Sequence, residues 1–187
     1  MATEVTICNS ALVSVGADKI TSLTDGTRQA RICNEIYESE RDALLAEHRW
    51  NFAIKRVALA VEDVTPLGYT YSYALPSDYL AIVDVLGDDV GPYVIEGSSL
   101  LTDDSSVELQ YVAHVTDPSL WSPTFCAALA DRIAKKIAPK MKASVSRTES
   151  LKDDYKRSLL KAKIVDAPSS GKPKSKRPSY FIDARGG

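Results

Sequence analysis

The stretch from Thr27 to Phe52 constrains the fold of this chain more than any other, because it has the pattern of one long amphipathic helix. At about 100° per residue, its apolar side chains fall on one face and its charged side chains on the other. Asp25 and Gly26 predict a turn and an N-cap before the helix. Trp50 and Phe52 follow the helix, where bulky rings usually fill the space between a helix and the next layer. The predicted apolar face comprises Ile32, Cys33, Ile36, Tyr37, Ala43 and Leu44.

Three further helices and a group of strands are predicted around this stretch. A first helix occupies residues 3–15, a third begins at Ser122-Pro123, and a last one runs from about Ser146 to Ile164. The segment 54–61 is interpreted as a strand, with a helix tail as the alternative. Further strands are predicted at 69–75, 79–86, 93–95, 100–101 and 107–115. The expected fold is α+β: a mainly helical bundle with a small antiparallel sheet inserted at about residues 54–115, between the second and third long helices.

Residues 166–187 have the composition of an extended, basic C-terminal arm, separate from a helical domain at 1–165. The arm carries five Lys or Arg and two Asp, whereas the rest of the chain has a net charge of −5. Its Pro, Gly and Ser content cannot close a core. The apolar triplet near its end predicts docking, either on a partner or back on the domain itself. The candidate docking residues are Lys172, Lys174, Lys176, Arg177, Tyr180, Phe181, Ile182 and Arg185.

The composition excludes several classes of protein. The 187 residues, 44% of them hydrophobic, suit one soluble domain. A net charge of −2 does not fit a chain that binds nucleic acid over its whole surface. No apolar run is long enough to predict a membrane span, and the N-terminus lacks the pattern of a signal peptide.

We find no pattern of residues that predicts catalysis, a metal or a cofactor. Cys8, Cys33 and Cys126 are far apart and suit buried thiols in a reducing cytoplasm better than a zinc site. His48 and His114 have no ligand partner at metal-binding spacing. The glycines are single and lie in turns, so no phosphate-binding loop is expected.

Two carboxylates on the long helix need partners. Glu40 and Glu47 lie seven residues apart and point toward its apolar face. Arg132 and Lys136, which border the apolar face of the third helix, could supply the opposite charges. The sequence predicts structural pairing, either within a bundle or across a subunit boundary. The candidate bundle or subunit contacts are Glu40, Glu47, Trp50, Phe52, Arg132 and Lys136.

The order of elements over residues 3–60 resembles a known family. A short helix contains A-L-x-S-x-G at 11–16, S-L-x-D follows at 22–25, and the long helix ends in R-W-x-F at 49–52. This order is similar to the N-terminal half of the head-to-tail adaptor proteins of short-tailed bacteriophages, also called tail tubular protein A or tail accessory factor. The two later helices match the family by arrangement only. Some adaptor relatives have been linked to cell-wall hydrolysis, but this sequence has no arrangement of carboxylates that supports such an activity.

The resemblance implies a structural virion protein made in the cytoplasm of a host bacterium. Such adaptors form a dodecameric ring under the portal protein, close the DNA-filled head, extend the DNA channel and attach the tail. By this likeness the bundle makes subunit contacts, and the strand region faces the next tail component, a nozzle or tube protein. Tyr180 to Arg185 would engage the portal. An acidic channel wall would let genomic DNA pass without sequence-specific contact.

Two functions of other classes stay open at this point. The tract from Lys172 to Arg177 resembles a nucleic-acid-binding patch, so the chain could be a DNA-binding accessory protein that uses its basic arm. That reading predicts duplex binding that weakens steeply with salt. An enzyme of unfamiliar type would instead require a polar cleft.

Overall fold

Four α-helices, each with a hydroxyl side chain at its N-cap, form the helical part of the described residues. A computed structural model describes residues 2–63, 66–86 and 90–167. In each helix the N-cap side chain accepts a hydrogen bond from the backbone N–H three residues later, which satisfies one free donor of the first turn. The helices are α1 (Glu4–Ser14), α2 (Arg28–Ala46), α3 (Pro123–Ile137) and α4 (Val145–Asp166), with caps at Thr3, Thr27, Ser122 and Ser144.

The N-cap of the long helix differs from the predicted one. Thr27 caps α2, whereas Asp25 closes the turn before it by accepting hydrogen bonds from the backbone N–H groups of Thr21 and Ser22. The buried face of α2 also differs from the predicted one, in that it includes Ala30 and Leu45 as well. Ala43 is exposed, whereas Arg41 is buried. Helical periodicity places Arg41 beside Tyr37, but a charged residue is assigned to the solvent by default.

Helix α3 lies at the centre of the helical part and packs against α1, α2 and α4. Its buried face carries Phe125, Leu129, Ile133 and Ile137, which repeat at helical spacing. Helices α1 and α2 also contact each other. The apolar face of α3 thus packs among the other three helices, and this packing forms the main core.

In the described part of the stretch between α2 and α3, six strands form two antiparallel sheets of three strands. The first sheet has the order β1-β6-β3 and the second has the order β2-β5-β4. The protein is therefore α+β, with two small sheets where one was expected. The strands are β1 (Ile54–Ala58), β2 (Tyr71–Ala74), β3 (Tyr79–Leu86), β4 (Tyr93–Glu96), β5 (Ser99–Thr102) and β6 (Glu108–Ala113).

The segment at 54–61 explains why there are two sheets. Its first part, β1, pairs with β6, but the chain then turns, and Val61 forms an isolated bridge with Tyr73 of the second sheet. The backbone N–H of Glu62 donates to the carbonyl of Ser72 at 2.7 Å. A segment predicted as one strand thus serves both sheets in succession.

The C-terminal helix reaches further than expected. α4 extends through Asp166, so this residue belongs to the helix and not to the arm. Its carboxylate accepts hydrogen bonds from the backbone N–H of Asn51 at 3.1 and 3.2 Å, and its carbonyl accepts one from the Asn51 side chain. These contacts fasten the end of α4 beside the end of α2. The arm residues 168–187 lie outside the described part of the chain.

Candidate functional site

A buried ion pair joins α2 to α3. Glu40 lies on the inner face of α2, and its Oε2 accepts a hydrogen bond from Nε of Arg132 at 2.7 Å. Lys136, one turn further along α3, places its Nζ 3.4 Å from the other oxygen of Glu40. The exposed fractions are 11% for the Glu40 side chain and 18% for Arg132, compared with 57% for Lys136. Arg132 is therefore the cation that offsets most of the cost of burying Glu40.

The same guanidinium extends the network to α4. Nη1 of Arg132 donates to Oε2 of Glu47 at 2.9 Å and to the hydroxyl of Tyr155 at 2.6 Å. The Tyr155 hydroxyl in turn donates to Glu47 at 3.0 Å. Lys163 of α4 lies 3.5 Å from the second oxygen of Glu47. One arginine thus connects three helices, and every side chain in the network has a partner.

Burial and charge shift the protonation of these groups. Burial by itself lowers the pKa of Arg132, but the hydrogen bond to Glu40 and the interactions with Tyr155 raise it above the ordinary value. Lys135 stacks 4.2 Å from the ring centre of Tyr155. Burial, followed by the nearby charge of Arg132, lowers the pKa of Lys135. Arg132 therefore stays charged at physiological pH.

The two predicted aromatic residues lie in a cluster at the end of α2. Trp50 is fully buried, and its Nε1 donates to the carbonyl of Leu44 at 2.8 Å. Its ring stacks on Phe52 at 6.1 Å and meets Phe125 of α3 edge to face at 5.0 Å. Trp121, just before α3, packs on the other side of Phe125 at 5.2 Å. The cluster fixes the direction in which the chain leaves α2 for the first strand.

A second polar cluster connects α2 to the first sheet, and sequence reasoning missed it. Nε of Arg41 donates to Oδ1 of Asp42 at 2.7 Å, and Nε2 of His114, just after β6, lies 2.8 Å from the same oxygen. Burial opposes the ionisation of Asp42, but these two partners lower its pKa overall. Arg41 within a mainly apolar face is the sequence signal that could have revealed the cluster.

The connection continues into the sheet through Asp78. The backbone N–H of His114 donates to the Asp78 carbonyl at 2.7 Å. The Asp78 carboxylate accepts from Lys55 of β1 at 2.6 Å and from the Tyr111 hydroxyl of β6 at 2.9 Å. The hydrogen bond from Lys55 is the main cause of the lowered pKa of Asp78. These contacts fix the first sheet in place relative to α2.

The cysteines pack in the helical part. Cys8 of α1 and Cys33 of α2 are buried, and the neighbouring Cys33 thiol together with burial raises the pKa of Cys8. Cys126 is partly exposed, and burial raises the pKa of its thiol. Among residues 2–63, 66–86 and 90–167, no group of three or more His, Cys, Asp or Glu is placed to hold a metal ion.

The structure brings together all six residues that were predicted as bundle or subunit contacts, in two neighbouring groups within one chain. Glu40, Glu47, Arg132 and Lys136 form the charged network, and Trp50 and Phe52 form the aromatic cluster. The eight candidate docking residues of the arm lie outside the described residues. Because the carboxylates of the network are saturated by cations and by Tyr155, this site is suited to fixing the helices relative to one another.

A scan against protein-family models found no matching family, and a search of curated proteins found no similar sequence. Within the described residues, no helix is both long enough and apolar enough to cross a membrane.

Proposed function

We propose that this protein is a head-to-tail adaptor of a short-tailed bacteriophage, a structural and non-catalytic component of the virion. The observation that carries the proposal is the order of motifs over residues 3–60, namely A-L-x-S-x-G, S-L-x-D and R-W-x-F around a long charged helix. The adaptor is made in the cytoplasm of the host bacterium and is incorporated at the junction of head and tail.

The contacts made by the motif residues give each motif a physical role. Gly16 closes the first motif, because its backbone φ of 73° lies in the left-handed region that favours glycine and its N–H donates to the carbonyl of Val13 at 3.0 Å at the end of α1. Asp25 of the second motif closes the turn before α2. Trp50 of the third motif is fully buried. The motifs therefore lie at the points that set the geometry of α1 and α2, which supports treating their order as a meaningful resemblance.

In this proposal the four helices form a bundle that makes the contacts between subunits of a dodecameric ring. The charged network around Arg132 stiffens each subunit, because it ties α2, α3 and α4 together through one side chain. A rigid subunit suits a ring, since small errors in angle add up around a closed assembly. Genomic DNA passes through the ring without sequence-specific contact.

The C-terminal arm binds the portal protein. Asp166 and the contacts of Asn51 hold its starting point against the end of α2. Twenty residues then remain, and when extended they reach about 66 Å. The apolar triplet Tyr180 to Ile182 docks on the portal, and the basic residues from Lys172 to Arg177 contact acidic groups beside it.

The strand region contacts the next tail component, a nozzle or tube protein. Leu67, in the connection between β1 and β2, is fully exposed, and Tyr93 of β4 is 39% exposed. Large apolar side chains at such exposed positions are suited to contacts with another protein. A test of the contact with the tail component should therefore begin with substitutions of Leu67 and Tyr93.

The test is sedimentation velocity on the full chain, alone and mixed with the portal protein of the same genome. We expect a ring-sized species in the mixture only. A deletion of residues 168–187 keeps Asp166 and α4 and should abolish that species. Substituting Tyr180, Phe181 and Ile182 by Ser should do the same, while Lys19→Ser, a change at an exposed lysine on the body, should not. A failure of the intact chain to bind the portal at any ratio would refute the proposal.

One observation favours a second candidate, a DNA-binding accessory protein. Residues 132–187 contain sixteen Lys or Arg and five acidic residues, so the basic character extends beyond the arm into α3 and α4. This candidate predicts duplex binding that falls steeply between 50 and 200 mM salt and is lost with residues 168–187. Fluorescence anisotropy with a labelled duplex separates the two candidates, because the adaptor requires the portal and not the duplex.

A further inference from the structure

Acidic and basic residues are segregated along this chain. Residues 57–117, which include β2 to β6, contain eleven acidic residues and no Lys or Arg. In the described part of this segment, the ion pair of Asp78 with Lys55 is the only one that an acidic side chain makes. The strand region therefore carries negative charge that the chain itself does not neutralise.

One face of the second sheet combines this charge with exposed apolar surface. Val94 pairs with Leu101 and Glu96 pairs with Ser99, so the side chains of Val94 and Glu96 lie on the same face. Glu62 reaches this face as well, because it accepts hydrogen bonds from the hydroxyls of Ser72 and Ser99. Val94 is 38% exposed, and Glu96 is exposed at the open edge of the sheet. The outer sheet face is defined here as Glu62, Val94 and Glu96.

A stripe of opposite charge runs along the last two turns of α4. Arg157, Leu160, Lys161 and Ile164 are spaced i, i+3, i+4 and i+7, which places them on one side of the helix. Leu160 and Ile164 are 60% and 61% exposed, although the helix is otherwise strongly charged. Neither side chain packs into the hydrophobic core of its own chain. The α4 stripe is defined here as these four residues.

We propose that the α4 stripe of one copy docks on the outer sheet face of the next copy in the ring. Both surfaces have an apolar centre beside charges, and the charges are of opposite sign. Because the two surfaces differ, the contact is heterologous, and repeated contacts of this kind close into a ring when the rotation between copies allows it. This inference rests on the proposed function, since it names the contact between neighbouring adaptor subunits.

The charged groups of the stripe can change partners at little cost. Arg157 pairs with Asp154 of its own helix at 2.5 Å, but the Arg157 side chain is 76% exposed, and such pairs contribute little. The side chains of Lys161 and Glu96 are both exposed. Hydrogen bonds from Ser72 and then Ser99 lower the pKa of Glu62, so it stays negative in mildly acidic buffer. Docking therefore requires no prior rearrangement of the subunit.

The test is a charge swap on the full chain. Glu96→Lys and Lys161→Glu are made separately and together, and ring formation on the portal is followed by sedimentation velocity over a range of protein concentrations. We expect each single variant to need an at least about fivefold higher concentration for half-assembly, since like charges then meet in every contact. The double variant restores the attraction and should assemble within about twofold of the unchanged protein.

Matched controls separate this contact from net charge. Glu38→Lys and Lys19→Glu make the same charge changes at exposed positions outside both surfaces and should assemble normally. Leu160→Ser with Ile164→Ser should weaken assembly without changing its salt dependence. Single variants that assemble normally, or a double variant no better than either single one, would overturn the proposed contact.

The failure of the proposed function is distinguishable from the failure of this contact. A single labelled subunit can bind excess portal without a neighbouring subunit. If no such binding is seen, the adaptor assignment is refuted, independently of the contact between copies. For variants that keep this binding, ring formation is then compared as the ratio of subunit to portal rises. Assembly that follows the charge swap supports the contact, and assembly of every variant at the concentration of the unchanged protein rejects it.

Discussion

Nε of Arg132 lies 2.7 Å from Oε2 of Glu40, and this one contact fastens α3 to α2 inside the molecule. Arg132→Met would leave Glu40 buried with only the exposed Lys136 nearby. Removing one partner of a buried pair is strongly destabilising, and because 11% of Glu40 and 18% of Arg132 are exposed, we expect a loss of about 2–3 kcal/mol. Urea unfolding followed by circular dichroism measures this loss. Lys136→Ala serves as the control and should cost less than about 1 kcal/mol.

Tyr37 offers a stabilising substitution. Its side chain is 1% exposed, and within the described residues its hydroxyl has no hydrogen-bond partner. Because a buried hydroxyl without a partner is costly, Tyr37→Phe should raise the free energy of unfolding by about 1 kcal/mol. Tyr111→Phe is the matched control, since it removes the hydrogen bond to Asp78 and should lower stability. Thermal denaturation of the two variants should give shifts of opposite sign, and equal shifts would contradict this account.

Trp50 should be the most sensitive single position in the aromatic cluster. Trp50→Ala opens a cavity beside Phe125 and removes the hydrogen bond to Leu44, so we expect a loss of about 3–5 kcal/mol. Trp50→Phe keeps a ring and should cost about 1–2 kcal/mol less than the alanine change. Guanidinium unfolding monitored by far-ultraviolet circular dichroism tests this order. Comparable losses for both variants would mean that the indole hydrogen bond dominates over packing.

The boundary of the folded part can be tested by truncation. A chain that ends after Ala167 keeps the contacts of Asp166 with Asn51, whereas one that ends after Val165 loses them. We expect the longer form to unfold at the temperature of the full chain. The shorter form should be less stable by about 1 kcal/mol or more, because the Asn51 N–H loses its acceptor. Scanning calorimetry compares them, and Asp166→Ala in the full chain should reproduce the loss.

Acid should weaken the attachment of the first sheet. Lys55 and Tyr111 lower the pKa of Asp78 below the ordinary value of about 3.9, so the folded state binds a proton less readily than the unfolded state. The resulting stabilisation is present above about pH 4 and is lost as the pH falls through the folded-state pKa. Urea midpoints between pH 6 and pH 2.5 should therefore converge for the unchanged protein and Asp78→Asn. A constant difference would show that Asp78 acts independently of its charge.

The elements with strong local signals agree with the sequence predictions. β3 spans the predicted 79–86, and all four helices lie within a few residues of their predicted bounds. The division into two sheets was not predicted, because pairing partners are chosen by contacts distant in sequence. The single segment at 54–61 contacts β6 and then Tyr73, and nothing in its own residues marks the point of exchange.

The charged network shows where sequence reasoning was sufficient and where it was not. Glu40 and Glu47 on an apolar face indicated that cations must lie nearby. Arg132, which borders the apolar face of α3, is one of these cations. Tyr155, which shares the guanidinium, was predicted only as part of an apolar stripe. The cluster of Arg41, Asp42 and His114 was missed because Arg41 and His114 lie 73 residues apart along the chain. Helical periodicity carries no information about such distant partners.

By itself, the sequence determined the positions and types of the helices and most strands, because hydrophobic periodicity and caps act within a few residues. It also determined the segregation of charge, with the strand segment acidic and the C-terminal third basic. Only the tertiary structure decided which carboxylate meets which cation, how the strands divide into two sheets, and that Leu160 and Ile164 stay exposed. The physical reason is that these outcomes depend on packing between residues far apart in the chain, where burial and geometry select one set of contacts among many with similar local preference.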